Sequence, residues 1–313
     1  MQGRFGTRTL TEGAMLAAVS VIIALVGAYI VPHVLFLSPA PLAILIYRHG
    51  LKSGIAVSVV AALLAGMLSH AIGMVIMFLV LGLVGIAIGE ALREKFTATR
   101  TMLVGTIAAL VGLVVPFLLV YFLLGSNLLE LMFKMWDKVL ESTSVMMERT
   151  GMPQDEVKRQ TQLVREQVRL LFPASLLFSA VVFSFLNYWV VRSVLRRLGD
   201  DVDWFPAFDR WRFPWYLAWG YILGQGAFLG STAYKSELLK AVGLNLRFFF
   251  DYTFGIQGIA LAWFFVQKYR LGRGLKLLVM GVVTGSILFG AVPLREIVIW
   301  AGVLDTWFNF RKL

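Results

Sequence analysis

Cysteine is absent from all 313 residues, which excludes disulfides, thiolate catalysis and cysteine-bound zinc or iron–sulfur sites. Histidine is scarce: His33, His49 and His70 are too widely spaced to suggest a metal centre. Charged residues make up 15% of the chain, against about 25% in an ordinary soluble domain. No Gly-x-x-x-x-Gly-Lys-Ser/Thr phosphate loop, Gly-x-Ser-x-Gly elbow or His-Glu-x-x-His helix occurs. Asp251 has no second aspartate at comparable depth for intramembrane proteolysis. The expectation is therefore a protein that is not an enzyme and needs no cofactor or metal.

What fills the chain is apolar: 59% hydrophobic residues and a mean hydropathy of +0.79. A soluble domain of this length cannot hide that much apolar surface. At about 20 residues per crossing, the chain has room for an all-α polytopic bundle of nine or ten spans in the lipid bilayer. The net charge of +11 would suggest nucleic acid in a soluble protein. In a membrane protein it marks loops on one side, and no nucleic-acid partner is expected. Met1 to Glu12 is a short polar start before an apolar run long enough to span, so it does not read as a cleavable signal.

The first span runs from about Leu10 to Val31. The stretch Val34–Tyr47 holds Pro39 and Pro41, breaks that lipid tolerates only where protein or water satisfies the freed carbonyls, so it reads as a short or irregular span. Further spans cover Gly54–Ser69, Met74–Ala91 and Met102–Leu124. From Ser126 to Phe172 the composition turns polar and neutral, with apolar residues still at helical spacing. Gly151-Met152-Pro153-Gln154 interrupts it, and Pro153 followed by Asp155 and Glu156 suits a first helical turn. This predicts a helical hairpin outside the bilayer. Later spans cover Leu171–Val194, Phe213–Ala233, Leu244–Gln267 and Leu275–Val292, and Ile297–Phe310 is either a tilted tenth span or an interfacial helix. Segments 1–125, 126–171, 172–195, 196–212 and 213–313 are thus membrane core, outer hairpin, sixth span, inner loop and C-terminal membrane bundle.

More than half of the 29 Lys and Arg residues fall in inner loops if the N-terminus is cytoplasmic. The expected location is the inner (plasma) membrane, with a cytoplasmic N-terminus and the hairpin outside.

Polar side chains within lipid are costly and point to function first. Glu90 lies a turn from Arg93, Asn187 suits an interhelical hydrogen bond, and Gln225 sits between Gly224 and Gly226. Asn245, Arg247, Asp251 and Gln257 form the densest group. Arg247 and Asp251, four residues apart, share a helical face and are either a structural ion pair or part of an outward pocket. In the pocket reading Arg247 meets an anionic substrate group and Gln257 reaches it from a neighbouring face. His33 and His70 fall in outer loops. Trp204, Trp211 and Trp215 with Phe205, Phe208 and Phe213 read as interfacial anchors or a docking surface.

The opening Thr7-Arg8-Thr9-Leu10-Thr11-Glu12-Gly13-Ala14-Met15-Leu16-Ala17-Ala18 leads to Pro32, Ser38-Pro39-Ala40-Pro41 and Arg48-His49-Gly50-Leu51-Lys52-Ser53-Gly54. This succession resembles the start of the S-components of energy-coupling factor (ECF) vitamin transporters. It also resembles the YybS-like family of multi-spanning bacterial membrane proteins, which Gly302-Val303-Leu304-Asp305-Thr306-Trp307-Phe308-Asn309-Phe310-Arg311-Lys312 supports. The YybS-like resemblance spans the whole chain. The S-component resemblance covers 7–125 and 172–195, an S-component-like core to which this chain adds the hairpin and about three spans. It implies a small-molecule ligand, for which the polar Gln225, Arg247, Asp251 and Gln257 singled out above are the candidate binding residues, with His70 in an outer loop of the kind that helps close S-component pockets. It also implies an energy-coupling membrane subunit with ATPases, against which Ala14 and Ala18 would pack by their small-x-x-x-small spacing. The competing expectation is a non-transporting scaffold or regulator for envelope or signalling proteins.

Overall fold

The computed structural model describes residues 7–69, 72–290 and 293–312. Among them are eleven α-helices and two short 3-10 turns, and no strand. In order the helices are α1 (Thr7–Tyr29), α2 (Pro39–His49), α3 (Leu51–Ser69), α4 (Ile72–Arg93), α5 (Ala98–Leu124), α6 (Leu128–Arg149), α7 (Gln154–Arg197), α8 (Leu217–Tyr234), α9 (Glu237–Lys268), α10 (Arg273–Phe289) and α11 (Leu294–Phe308). The protein is an all-α helical bundle. α5, α7 and α9 are each long and apolar enough to cross a membrane, and α10 with α11 qualify only together, as a pair bent by 99°. The 3-10 turns cover Pro32–Leu37 and Phe208–Arg210.

The chain divides into two compact units. The first takes Met1–Lys138 and Leu176–Trp204, the second Val139–Ser175 and Phe205–Leu313.

In the first unit α2 is the central element, buried from Pro39 through Ile46. It packs on α4 and α3, and α1 packs on α3. The approach of α2 to α4 rests on Gly85 and Gly89, one turn apart: a Cβ on either would stand 2.6 Å from a carbonyl oxygen of α2, Pro39 and Ala43 respectively. Where lipid supplies no hydrophobic drive between helices, such backbone proximity is what holds them together. Between α1 and α3 the core is mostly alanine, Ala17 and Ala24 against Ala61 and Ala62 with Val21 beside them.

α2 has only 11 residues, about 16 Å at 1.5 Å per residue, so it cannot cross a core about 30 Å thick. The 3-10 turn before it leaves carbonyls that need partners. Asn187 on α7 supplies one, donating at 2.9 Å to the carbonyl of Phe36. The side chain read from sequence as an interhelical bond serves the proline-broken segment.

α7 is continuous for 44 residues, about 66 Å, more than twice the membrane core. The stretch expected to be a hairpin thus consists of α6 and the first half of a helix whose second half carries the apolar run read as the sixth span. Pro173 lies inside it. In the second unit Asn245 on α9 bridges the break, donating to the carbonyl of Leu170 at 2.7 Å and accepting from the amide of Ala174 at 2.9 Å.

α8 and α11 both pack on α9. The α9–α11 crossing is set by Gly258 and Gly302, where any Cβ would fall within contact of the Val298 and Phe254 carbonyl oxygens. Tyr221, Phe254, Ile299 and Val303 fill the core around it. α9 starts at Glu237, seven residues before the apolar run begins, because Ser236 caps it by accepting from the amide of Leu239. α4 and α9 end with Lys95 and Arg270 in left-handed backbone, and Lys235 does the same for α8. A cation there offsets the partial negative charge of a helix C-terminus.

Candidate functional site

The close packing of α8, α9 and α11 encloses two polar centres in the second unit. The first forms where the opening turn of α11 meets the middle of α9. Asp251 is 5% exposed, and its Oδ2 accepts from Nη2 of Arg295 at 2.7 Å. Arg295 also reaches Glu296 at 3.2 Å. The remaining oxygen of Asp251, Oδ1, is buried without a hydrogen-bond partner.

Tyr221 of α8 is fully buried in the same neighbourhood, with its ring edge-on to Phe254 and Trp300. Its hydroxyl, with Gln225 beside it, closes no hydrogen bond of normal geometry. Arg247 lies half-buried with its guanidinium 4.6 Å from the centre of the Phe228 ring, a cation–π contact rather than an ion pair. Native interiors rarely leave buried polar atoms unsatisfied. Here two such atoms, Asp251 Oδ1 and the Tyr221 hydroxyl, lie in one region with an arginine that has donors to spare.

The second centre is built from the last turn of α11. Gln257, fully buried, accepts from the amide of Phe213 at 2.8 Å and donates to Asp305 Oδ2 at 3.1 Å. Arg311 gives the same carboxylate oxygen Nη2 at 2.6 Å and Nε at 3.2 Å. The guanidinium also donates to the backbone carbonyls of Asp209 and Trp211, and Arg212 donates to the carbonyl of Thr306 at 2.9 Å. Of the buried side-chain polar atoms of Gln257, Asp305 and Arg311, only Asp305 Oδ1 lacks a protein partner. This is a clamp on the loop 205–212, and it accounts for Asp305-Thr306 and Arg311 in the C-terminal motif.

The residues singled out from sequence therefore separate. Arg247, Asp251 and Gln225 gather around the first centre, but the partner of Asp251 is Arg295, not Arg247. Gln257 belongs to the second centre, two helical turns along α9, and points at Asp305. His70 lies outside the described residues. Ala14 and Ala18 are exposed on α1, and His33 is exposed.

Sequence reasoning missed Arg295, Tyr221, Asp305 and Arg311. The available signal was an acid inside the apolar run 297–310 and a charged pair, Arg295-Glu296, at its mouth. It missed as well that the two N-terminal motifs meet: Glu12 receives the Arg48 guanidinium on one oxygen and lies 2.8 Å from His49 Nε2 on the other.

Among proteins of known sequence, the family model described as DUF2232, predicted membrane protein, matches residues 18–306. The chain is 27% identical to a Bacillus subtilis (strain 168) protein named "Uncharacterized protein YybS" over 317 aligned residues, 98% of each chain. No solved structure matches it.

Proposed function

Because the chain belongs to the DUF2232 family of predicted membrane proteins, we propose that it captures a small solute within its helical bundle and takes part in uptake of that solute, without catalysing a reaction. The observation that carries this reading is the first polar centre. Asp251 Oδ1 is buried without a partner and the Tyr221 hydroxyl has only Gln225 beside it, next to an arginine that holds no carboxylate. An anionic group on the solute would meet Arg247, and a hydrogen-bond donor on it would satisfy Asp251 and Tyr221. In this proposal the N-terminus is cytoplasmic, following the bias of Lys and Arg, the membrane is the bacterial inner membrane, and a separate energy-coupling subunit with ATPases drives transport. The exposed Ala14 and Ala18 on α1 are the contact offered to that subunit.

A thermal-shift screen of small carboxylated and zwitterionic solutes on detergent-solubilised protein tests the binding step, since a ligand that binds only the folded form raises its apparent stability. A hit that shifts wild type and not Arg247→Ala supports the site. A hit indifferent to that substitution removes it. Pull-down from native membranes tests the uptake role: recovery of a coupling subunit with ATPases supports it. A scaffold reading is favoured by one observation, the exposed apolar stripe Leu131, Met135, Val139 and Met146 on α6. Recovery of envelope or signalling proteins alone would establish that reading instead.

A further inference from the structure

In the first unit the ends of α2 and α4 and the chain just after α7 border an open cavity of about 350 Å³ lined by Tyr47, Arg48, Leu92, Arg93, Lys95 and Asp200. Three of the six carry a positive charge and one a negative charge. One of the three cations is already committed: Arg48 is held by Glu12, while Tyr47 stands beside the Asp200 carboxylate. The other two cations have capacity left. Arg93 makes one contact, to Glu90 at 3.5 Å, and its side chain is 48% exposed. Lys95 makes no side-chain hydrogen bond or ion pair among the described residues, and it is exposed.

Helix C-termini explain why cations gather here in part, because Arg48 and Arg93 stand in the last turns of α2 and α4. Lys95 adds a second cation at the end of α4, where Arg93 already offsets the helix dipole. It occupies the left-handed position after α4 (φ 58°), where glycine would be free of steric cost. The backbone there closes the helix by itself: the Lys95 amide donates to Leu92 and the Phe96 amide to Ala91. Gly50 (φ 85°) lets the end of α2 approach Arg93, where a Cβ would stand 3.1 Å from Nη1, so the guanidinium lies beside the cavity.

We propose that this cavity binds a phosphate group, with Arg93 supplying a planar pair of N–H donors and Lys95 a point charge. The volume is that of a small-ligand site, and basic pockets at the ends of membrane-protein helices receive phosphate headgroups. An anionic phospholipid headgroup and a free phosphate share the required chemistry.

The test uses the full chain in a neutral detergent and reads apparent Tm against inorganic phosphate, short-chain phosphatidylglycerol and short-chain phosphatidylcholine, with sodium chloride at matched ionic strength. Wild type is compared with Lys95→Asn, which removes the charge but tolerates left-handed backbone, and with Lys95→Arg, which keeps the charge. The expected result is a rise in Tm for wild type and Lys95→Arg, with apparent affinity at least tenfold weaker in Lys95→Asn. A response to inorganic phosphate identifies a free anion, and a response to phosphatidylglycerol alone identifies the lipid headgroup. Equal shifts with phosphatidylcholine or chloride, equal affinity in Lys95→Asn, or no shift at all overturns the proposal.

Discussion

Asn245 takes the place of a helical hydrogen bond to Ala174: its Oδ1 accepts from the Ala174 amide, while its Nδ2 donates to Leu170, the carbonyl four residues earlier that Ala174 would otherwise reach. Pro173 opens that gap by lacking an N–H and crowding the preceding turn. In apolar surroundings both freed groups need a partner. Asn245→Leu should therefore destabilise the protein by about 2–4 kcal/mol, as two backbone groups lose their bonds. With Pro173→Ala the helix can close on itself, so the cost of Asn245→Leu should shrink. Thermal unfolding of the four variants in detergent checks this, and an unchanged cost in both backgrounds would show that the bridge is not the reason for Asn245.

Arg311 and Asp305 form a pair that is almost wholly sealed, with side-chain exposures of 1% and 0%. Removing one member of such a pair strands a buried charge and typically costs about 3–5 kcal/mol, whereas replacing both with apolar residues is often neutral. Arg311→Met and Asp305→Leu should each lower apparent Tm sharply, and the double variant should recover most of the loss. Arg311 also anchors the carbonyls of Asp209 and Trp211, so limited proteolysis within 205–212 should accelerate in both single variants. Equal proteolysis in wild type and Arg311→Met would remove the clamp.

Hydropathy and proline placement were enough to locate nearly every helix, because each apolar run is bounded by charge, glycine or proline. The two helices within Ser126–Phe172 were legible for the same reason, from the change of composition after Gly125 and the break at Gly151. Helix starts were less visible: the capping Ser236 and a polar first stretch carried α9 well upstream of its apolar run. The polar centres were half legible. Asp251 and Arg247 announce themselves as charges in a span, but the partner of Asp251 lies 44 residues away on α11, and no local spacing encodes a contact between helices. The Glu12 contact with Arg48 and His49 is hidden for the same reason, although each end lies in a motif of the sequence.

The crossing of α9 and α11 depends on the absence of side chains at Gly258 and Gly302. Gly302→Ala would press a methyl into the Phe254 carbonyl and the Gly258 amide, the latter at 2.9 Å, so the helices must separate. Gly281 in the middle of α10 meets nothing within 4 Å of an added Cβ. There Gly→Ala should stabilise by about 0.5–1 kcal/mol through the lower entropy of the unfolded chain. Opposite signs of the Tm change for Gly302→Ala and Gly281→Ala are expected. Matching signs would mean that helix propensity, not close approach, dominates both.

The proposed solute site makes its sharpest distinction between Arg247 and Arg295. Arg295 holds a buried carboxylate, so Arg295→Gln leaves Asp251 buried without its partner and should lower thermal stability whether or not solute is present. Arg247 holds no carboxylate and contacts Phe228 through its ring face, a contribution of about 0.5–2 kcal/mol. Arg247→Ala should therefore leave most of the fold intact while weakening affinity for an anionic solute by tenfold or more. Arg247→Lys, which keeps the charge but not the planar fork, should fall between the two. Binding by isothermal titration, set beside apparent Tm for each variant, separates the roles. If Arg247→Ala loses stability and affinity in proportion, the arginine is part of the packing and the solute site must be sought elsewhere in the bundle.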